Sequence, residues 1–168
     1  MAEPWAERPY MPDYGVAGPR WAPLPWSWAA ERLRANQNFW LVTVSPDARP
    51  HAMPVWGVWE DPESSFAFSC GPRARKLRNL ATNPRAVVMV DDTVECVSIE
   101  GRAARVRDDE RREQWIDRYL ANYQALAPDL DAEFLRSNVL VEFAAERAFG
   151  VIEREEEFST RPTRWVFG

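Results

Sequence analysis

Short β-type segments separated by turn signals restrict the fold of this chain more than any other feature. The segments are rich in β-branched and aromatic residues, and a sharp turn, SPDAR at residues 45–49, separates the first two. The pattern predicts six strands, at residues 39–44, 50–60, 64–71, 85–92, 94–108 and 140–153. Gly101 interrupts the fifth strand, where we expect a bulge or a bend.

Helical patterns fall between these strands. The three main ones are at residues 28–36, 72–83 and 108–127. Ser27 is expected to cap the first helix, and Pro72 to occupy the first position of the second. The third is amphipathic, and its inward side is expected to carry Trp115, Tyr119, Leu120 and Tyr123. Residues 129–138 are expected to add a helical turn or two.

Together these patterns predict a mainly β protein, a small antiparallel β-barrel with peripheral helices. The pattern of strands alone does not separate a barrel from a sandwich. Residues 1–26 are set apart because six prolines, interleaved with tryptophan and tyrosine, are expected to prevent regular structure there. We therefore divide the chain into an extended arm at residues 1–26, packed on its own barrel or on a partner subunit, and a barrel domain at residues 27–168.

Composition excludes several classes of protein. At 168 residues, 46% of them apolar, the chain can bury the core of one domain. A net charge of −5 argues against a general nucleic-acid binder, which needs a broad basic face. Cys70 and Cys96 form no disulfide framework and no metal-site spacing, so both are expected to be free and buried. The start of the chain has no apolar signal core and no run approaches a membrane span, which predicts a cytoplasmic protein.

Residues 64–90 contain no acidic residue, although the chain as a whole is acidic. The cations in this stretch include the only lysine of the chain: Arg73, Arg75, Lys76, Arg78 and Arg85. Cations at the start of a helix oppose its macrodipole by roughly 0.3–1 kcal/mol each, and an external anion offsets that cost. A solvated charged face is the simpler interpretation, but a helix start preceded by Gly71 favours a bound phosphate.

The preceding strand, HAMPVWGVWE at residues 51–60, carries a second signal. Pro54 interrupts the ladder and leaves backbone groups of its neighbours free, while Gly57, flanked by Trp56 and Trp59, permits close approach of a flat ligand. On this stretch alone, a kinked edge strand is the favoured interpretation. Beside a phosphate site, it indicates a planar heterocycle with a phosphorylated tail.

Three stretches together resemble the pyridoxamine 5′-phosphate oxidase-like superfamily: TVSPDARPHAMPVWGVWE, FAFSCGPRARKLRNLATNPRAVV and SIEGRAARV. This superfamily comprises flavin and deazaflavin oxidoreductases built on a split β-barrel. The similarity covers about residues 28–153, and the ending PTRWVFG is also similar to that of many members. An Arg-Lys pair followed by Asn-Leu and Asn-Pro is its most specific element.

The resemblance implies a split β-barrel of the FMN-binding type. It implies that Arg75 and Lys76 hold the cofactor phosphate and that residues 52–57 run along the isoalloxazine ring. Trp165, near the end of the chain, either closes the pocket or packs the tail. The cofactor-binding residues predicted in this way are Ala52, Met53, Pro54, Val55, Trp56, Gly57, Ser69, Cys70, Arg75, Lys76 and Trp165. The resemblance also implies a homodimer with cofactor sites between the subunits.

Two departures from the family pattern bear on function. Ala74 stands where the pyridoxamine phosphate oxidases usually have a serine, and no histidine lies near the end of the chain, so synthesis of pyridoxal phosphate is not expected. The cofactor is either FMN or the deazaflavin F420. The acidic tail of F420 requires further cations, which Arg8, Arg20 or Arg161 could supply.

The expected function is hydride transfer between a flavin-type cofactor and a small organic substrate, in which the cofactor carries the chemistry. His51, the single histidine, is a weak candidate for a proton donor, because a lone histidine beside a turn is more often a surface residue. A non-catalytic flavin carrier or sensor is the main alternative. A haem-handling protein is a third, although the sequence offers no axial histidine besides His51.

Overall fold

The fold is that of a computed structural model, which describes residues 3–16 and 19–168. The strands within these residues form one sheet: β1 Trp5–Glu7, β2 Asn38–Val44, β3 Pro50–Glu60, β4 Ser65–Cys70, β5 Arg85–Val90, β6 Glu95–Arg105, β7 Val139–Ile152 and β8 Thr163–Val166. The helices are α1 Trp26–Ala35, α2 Arg75–Thr82, α3 Asp109–Tyr123, α4 Ala132–Ser137 and α5 Glu155–Phe158. None of these helices has both the length and the apolar character needed to cross a bilayer.

Neighbouring strands are antiparallel throughout, in the order β1-β8-β7-β4-β3-β2-β5-β6. Strand β6 also pairs with β7, which closes β7, β4, β3, β2, β5 and β6 into a six-stranded barrel. The predicted mainly β fold, a β-barrel with peripheral helices, is therefore confirmed. Pairing of β6 with β7 also distinguishes a barrel from a sandwich, which the strand pattern could not do.

Alternation along each strand fills the barrel interior. In β2, Phe39 and Leu41 point inward and are almost fully buried, whereas Trp40 between them is exposed. Leu77 and Leu80 of α2 join the same core. A second, smaller core forms where Trp115 and its neighbours on α3 pack against the outside of the barrel. This second core confirms the predicted inward side of the amphipathic helix.

The predicted bulge at Gly101 is confirmed. The β6–β7 register shifts between Glu100 and Gly101, and Gly101 lies opposite Ala145. A Cβ atom at Gly101 would overlap the carbonyl oxygen of Ala144, so only glycine fits this close approach of two strands. The extra residue of this bulge, Glu146, lies on β7, so β7 is the strand that bends opposite Gly101.

Both ends of the chain are more regular than the sequence indicated. The prediction that prolines prevent regular structure in residues 1–26 is wrong at Trp5–Glu7, because β1 lies between Pro4 and Pro9 and pairs with β8. The C-terminal segment, expected to be a tail after a last strand at residues 140–153, contributes β8, which pairs with the second half of β7. Two short strands thus extend the sheet beyond the barrel.

Two helix starts also differ from prediction. Helix α1 begins at Trp26 rather than after Ser27, and Pro25 occupies the N-cap position without a side-chain hydrogen bond. Helix α2 begins at Arg75, because the Ala74 amide donates to the Gly71 carbonyl at 3.0 Å and places Pro72 in a turn before the helix. Arg75 and Lys76 are nevertheless the first two helical residues, where the macrodipole argument applies most strongly.

Candidate functional site

Strand β3 has two halves with different surroundings. Its second half pairs with β4 at residues 57–60. Its first half, residues 50–56, pairs with β2 on one side and, among the described residues, with no strand on the other. Backbone groups along the open side of this half-strand are therefore free of a ladder partner, which is the property the sequence indicated around Pro54.

The predicted cofactor strand presents most of its side chains to solvent. Ala52, Met53, Pro54 and Trp56 are exposed, whereas Val55 is buried in the barrel core. Trp56 is held in place, because its ring stacks on Tyr123 at a centroid distance of 4.8 Å and an interplanar angle of 6°, and its Nε1 donates to Asn38 Oδ1 at 3.2 Å. One half-exposed tryptophan is thus fixed next to the open edge of β3.

Gly57 has a different role from the one expected. It faces the barrel interior, where a Cβ atom would overlap the ring of Phe66. The close approach that Gly57 permits is that of Phe66, rather than that of a flat ligand on this side of the strand. Gly57 therefore lies at the last residue pair of the β3–β4 ladder, opposite Phe68.

Beyond this point two tyrosines of α3 contact the backbone of β3. The Tyr119 hydroxyl donates to the Trp56 carbonyl oxygen at 2.9 Å. The Tyr123 hydroxyl accepts from the Gly57 amide at 2.8 Å, and it lies 2.6 Å from the Gln37 carbonyl oxygen. The sequence placed both tyrosines in the core, and both are buried, but their hydroxyl groups bind the predicted cofactor strand.

Burial keeps both phenols neutral. It raises the pKa of Tyr119 well above its usual range, although the Ser69 backbone hydrogen-bonds the Tyr119 hydroxyl and opposes the shift. Burial also raises the pKa of Tyr123, to about 12, against the opposing effect of its hydrogen bond with the Gly57 backbone. Both hydroxyls therefore keep their protons at neutral pH.

The space along the open side of residues 50–56 of β3 is called the notch below. Strand β4 ends beside it with Ser69 and Cys70. Ser69 Oγ is buried and has no hydrogen-bond partner among the described residues. Such a group destabilises a protein by about 1–3 kcal/mol unless water or a ligand binds it. The partly buried Cys70 is free, as is Cys96. Burial raises the pKa of the Cys70 thiol, while the charges of Lys76 and Arg105 lower it, so these two cations lie near the end of β4.

Helix α2 is fixed to the barrel by a buried polar contact. Asn79 Nδ2 donates to Thr43 Oγ1 at 2.9 Å, and both residues are almost completely buried. Thr43 lies directly opposite His51 in the β2–β3 ladder. Since Thr43 lies beside His51, this contact holds α2 against β2, next to the start of β3.

The cations at this helix start have no acidic partners. The ion pairs among the described residues involve other arginines, and none of them includes Arg73, Arg75, Lys76 or Arg78. Arg75 is exposed and Lys76 is partly buried. The first turn of α2 therefore combines uncompensated positive charge with the exposed amides of a helix start.

Two predicted residues lie at the edge of this group or outside it. His51 is partly buried at the start of β3, next to the α2 contact. Trp165 is fully buried on β8, where it packs against Gly150 and lies edge-on to Trp26 at 5.4 Å. The described contacts of Trp165 include none of the other predicted site residues, so the structure does not bring it to the notch.

A cavity in the described part of the chain lies outside the notch. It has a volume of about 580 Å³ and lies between α2 and the ends of β6 and β7. Its lining includes Leu77, Leu80, Arg105 and Arg107, but none of the predicted cofactor residues. On a single chain the notch is an open surface rather than an enclosed pocket. Its geometry and hydrogen bonds, and not a cavity volume, therefore indicate what it could bind.

Sequence reasoning missed Thr43, Asn79 and Arg105, and it overlooked the hydroxyl groups of Tyr119 and Tyr123. A polar Asn79 among the buried leucines of α2 was a usable signal, because a buried amide needs a partner. Nothing in the sequence indicates that Tyr123 contacts Gly57, which is 66 positions away.

Known proteins share the sequence pattern and the fold of this chain. A family model described as pyridoxamine 5′-phosphate oxidase matches residues 28–152. The chain belongs to this family. The match agrees with the resemblance inferred over residues 28–153. No curated protein sequence matches the chain.

Solved structures of low sequence identity share the fold. Rv2991, a conserved hypothetical protein of Mycobacterium tuberculosis, has a TM-score of 0.63 at 19% identity, with 85% of each chain covered. HutZ, a haem-storage protein of Vibrio cholerae, has a TM-score of 0.61 at 20% identity, covering 74% of this chain and 93% of that one. General Stress Protein 26 of Bacillus anthracis has a TM-score of 0.57 at 18% identity, covering 77% and 94%. These similarities establish the fold and leave the ligand open.

Proposed function

We propose that the protein is an FMN-dependent oxidoreductase that transfers hydride to or from a small organic substrate, with F420 as the alternative cofactor. One observation carries this proposal: Arg75 and Lys76 begin α2 without an ion pair among the described residues, and α2 is held against β2 next to the start of β3. A helix start with two uncompensated cations attracts a phosphate group. FMN and F420 both carry a planar ring and a phosphate.

The residues present fit such a cofactor. The unpartnered Ser69 Oγ requires a hydrogen-bonding group that the described protein does not supply. Arg75 and Lys76 would hold the phosphate through charge-assisted hydrogen bonds, and the open side of residues 50–56 offers backbone groups to the ring. When bound, the cofactor supplies the hydride chemistry, and the protein supplies binding and orientation.

Side chains that could move a proton are few. His51, partly buried at the start of β3, is the candidate proton donor of this proposal. Cys70 has a raised pKa because of burial, so its thiol stays protonated at neutral pH and has a passive role. Trp165, fully buried on β8, is left out of the proposed site.

We further propose a homodimer, as is common in this family. The outward face of the β2–β3 hairpin supports it, because Trp40, Pro54 and Trp56 lie on one exposed side of the two paired strands. Exposed aromatic residues grouped in this way are typical of an interface. Sedimentation at micromolar concentration should give about twice the 19.4 kDa chain mass, and a monomer would contradict the dimer.

Parallel fluorescence titrations of the cofactor-free protein with FMN, F420 and riboflavin test the cofactor. We expect FMN or F420 to bind, and riboflavin, which lacks the phosphate, to bind at least about tenfold more weakly. Binding of neither FMN nor F420 would overturn the proposal. A bound cofactor that cannot be reduced and reoxidised by a second substrate would instead support a carrier or sensor.

Haem binding is the second candidate, because the fold is shared with HutZ, a haem-storage protein. The residues favour it less, since His51 is the only histidine of the chain. A haemin titration of the wild type and of His51→Ala distinguishes the two functions. Tight haemin binding that depends on His51, with no flavin binding, would replace the flavin proposal.

A further inference from the structure

The hydroxyl groups of Tyr119 and Tyr123 are unnecessary for filling space. Both rings are buried, and phenylalanine would fill nearly the same volume without a polar group that requires a partner. The hydroxyls bind backbone groups of β3, at Trp56 and Gly57, and join them to backbone groups of the neighbouring segments, at Ser69 and Gln37. Tyrosine therefore differs from phenylalanine here in the hydrogen bonds by which its hydroxyl holds β3.

Each hydroxyl occupies one of the two seams beside β3. On the β2 side, the ladder reaches the Asn38–Trp56 pair, and the Tyr123 hydroxyl takes the next position between Gln37 and Gly57. On the β4 side, the ladder ends at Gly57 and Phe68, and the Tyr119 hydroxyl binds the Trp56 carbonyl oxygen beyond it. Helix α3 thus replaces ladder bonds where β3 leaves its neighbours.

We propose that Tyr119 and Tyr123 are positioning residues that fix residues 52–57 for the cofactor ring without touching the cofactor. This inference rests on the proposed function. Among the described residues, the first half of β3 has only β2 as a neighbouring strand, so its peptide groups can rotate unless its end is held. Tyr123 also supports the ring of Trp56 by parallel stacking at 4.8 Å.

The proposed phosphate site has a separate attachment to the barrel. Helix α2 is held through the Asn79–Thr43 hydrogen bond, which involves neither tyrosine. Loss of a tyrosine hydroxyl should therefore weaken binding of the ring and leave the contribution of the phosphate unchanged. Riboflavin and FMN share the ring and differ in the phosphate, so the ratio of their dissociation constants separates the two effects.

Tyr123→Phe and Tyr119→Phe, which retain the ring and its packing, test the proposal by titration with riboflavin and FMN. We expect each variant to raise both dissociation constants by the same factor, about three- to tenfold, since the hydroxyl that holds the end of the strand is lost. The absorption band of the bound flavin should also shift, because the surroundings of its ring change. Tyr10→Phe is the matched control, because the same atom is removed from a side chain that is 89% exposed, and it should change nothing.

Hydrogen exchange of the cofactor-free protein provides a second readout. The Gly57 amide, which donates to Tyr123, should exchange faster in Tyr123→Phe, while amides of β5 keep their protection. Faster exchange with unchanged flavin affinity would reduce the tyrosines to a structural role and overturn the proposal. Unchanged exchange and affinity would overturn it too, as would a changed FMN-to-riboflavin ratio.

Failure of the proposed function gives a different result. If the wild type binds no flavin, the cofactor part of this inference falls with it. Hydrogen exchange of the Gly57 amide is then the measurement that shows whether the tyrosines hold the strand. Titrations are made well below the melting temperature of each variant, so that a loss of affinity is not a loss of fold.

Discussion

Helices α2 and α3 are both rich in arginine, but the two helices use this charge differently. On α3, Arg111 and Arg118 form ion pairs with Glu63, and each also pairs with a further glutamate of the barrel. Both guanidinium groups lie over the buried Trp115 ring, 4.8 and 4.9 Å from its centroid. These arginines attach α3 to the barrel.

On α2, the cations have no such partners among the described residues. Arg75 and Lys76 stand at the helix start, where the macrodipole disfavours them. Attachment of α2 depends instead on Leu77, Leu80 and the uncharged Asn79–Thr43 contact. Paired charge therefore stabilises the fold here, whereas the unpaired charge at the start of α2 supports the proposed phosphate site.

The largest expected effect is on cofactor affinity after removal of a cation from α2. Lys76→Ala should weaken FMN binding about ten- to hundredfold, because a charge-assisted hydrogen bond contributes about 1.5–3 kcal/mol. The melting temperature should stay the same or rise slightly, since the deleted charge opposes the macrodipole. Titration and thermal unfolding of the same sample measure both effects.

Arg78→Ala is the matched control for this variant. It removes one exposed cation from the same helix, on a different face from Lys76, and should change FMN affinity less than about threefold. An equal loss in both variants would mean that the helix acts only through its general field.

Removal of an α3 arginine should have the opposite pattern. Arg111→Met should lower the free energy of unfolding by about 1–3 kcal/mol, because two partly buried glutamates lose a partner. FMN affinity should change less than twofold. Arg136→Met, which breaks an exposed pair with Glu113, should leave the urea midpoint almost unchanged, because an exposed ion pair contributes little to stability.

The ion pairs of α3 also predict a pH dependence of stability. Hydrogen bonds from Arg111 lower the pKa of Glu63 from 4.5 to about 2. The unfolded chain therefore binds a proton that the folded one does not, and the stabilisation present above pH 4.5 is lost as the pH falls toward 2. Urea midpoints at pH 6 and pH 3 should differ less in Glu63→Gln than in the wild type. An identical pH dependence of the urea midpoint in Glu63→Gln and the wild type would show that Glu63 does not cause it.

The smallest expected effect is that of salt. FMN affinity should fall by about two- to fivefold between low and high ionic strength, because Arg75 is exposed and Lys76 partly so. Riboflavin affinity should not depend on salt, since no phosphate is present. A salt effect of the same size on both ligands would show that it does not arise at the phosphate.

Local pattern predicted the barrel strands, because buried residues alternate with more exposed ones along strands such as β2 and β5. Strands β1 and β8 were missed since three and four residues carry too little alternation, although Thr163 and Trp165 do alternate with partly buried neighbours. The start of α2 was misplaced because Pro72 suits both a helix start and a turn. Only the hydrogen bond from Ala74 to Gly71 distinguishes them.

The candidate site was predictable only where it depends on sequence neighbours. The Arg-Lys pair and the proline in β3 could be recognised from the chain itself. The contacts of Tyr119 and Tyr123 with β3 join residues more than sixty positions apart, so they depend on the closed barrel. Gly57 shows the same limit, because its neighbour Phe66 is defined by strand register.

The contrast between the two helices is tested most directly by the ratio of riboflavin to FMN dissociation constants, measured in the wild type, Lys76→Ala and Arg118→Ala. This ratio isolates the phosphate, because both ligands share one ring. We predict a ratio of at least about ten in the wild type and in Arg118→Ala, and a ratio near one in Lys76→Ala. A ratio that stays the same in all three proteins would contradict a phosphate site at the start of α2.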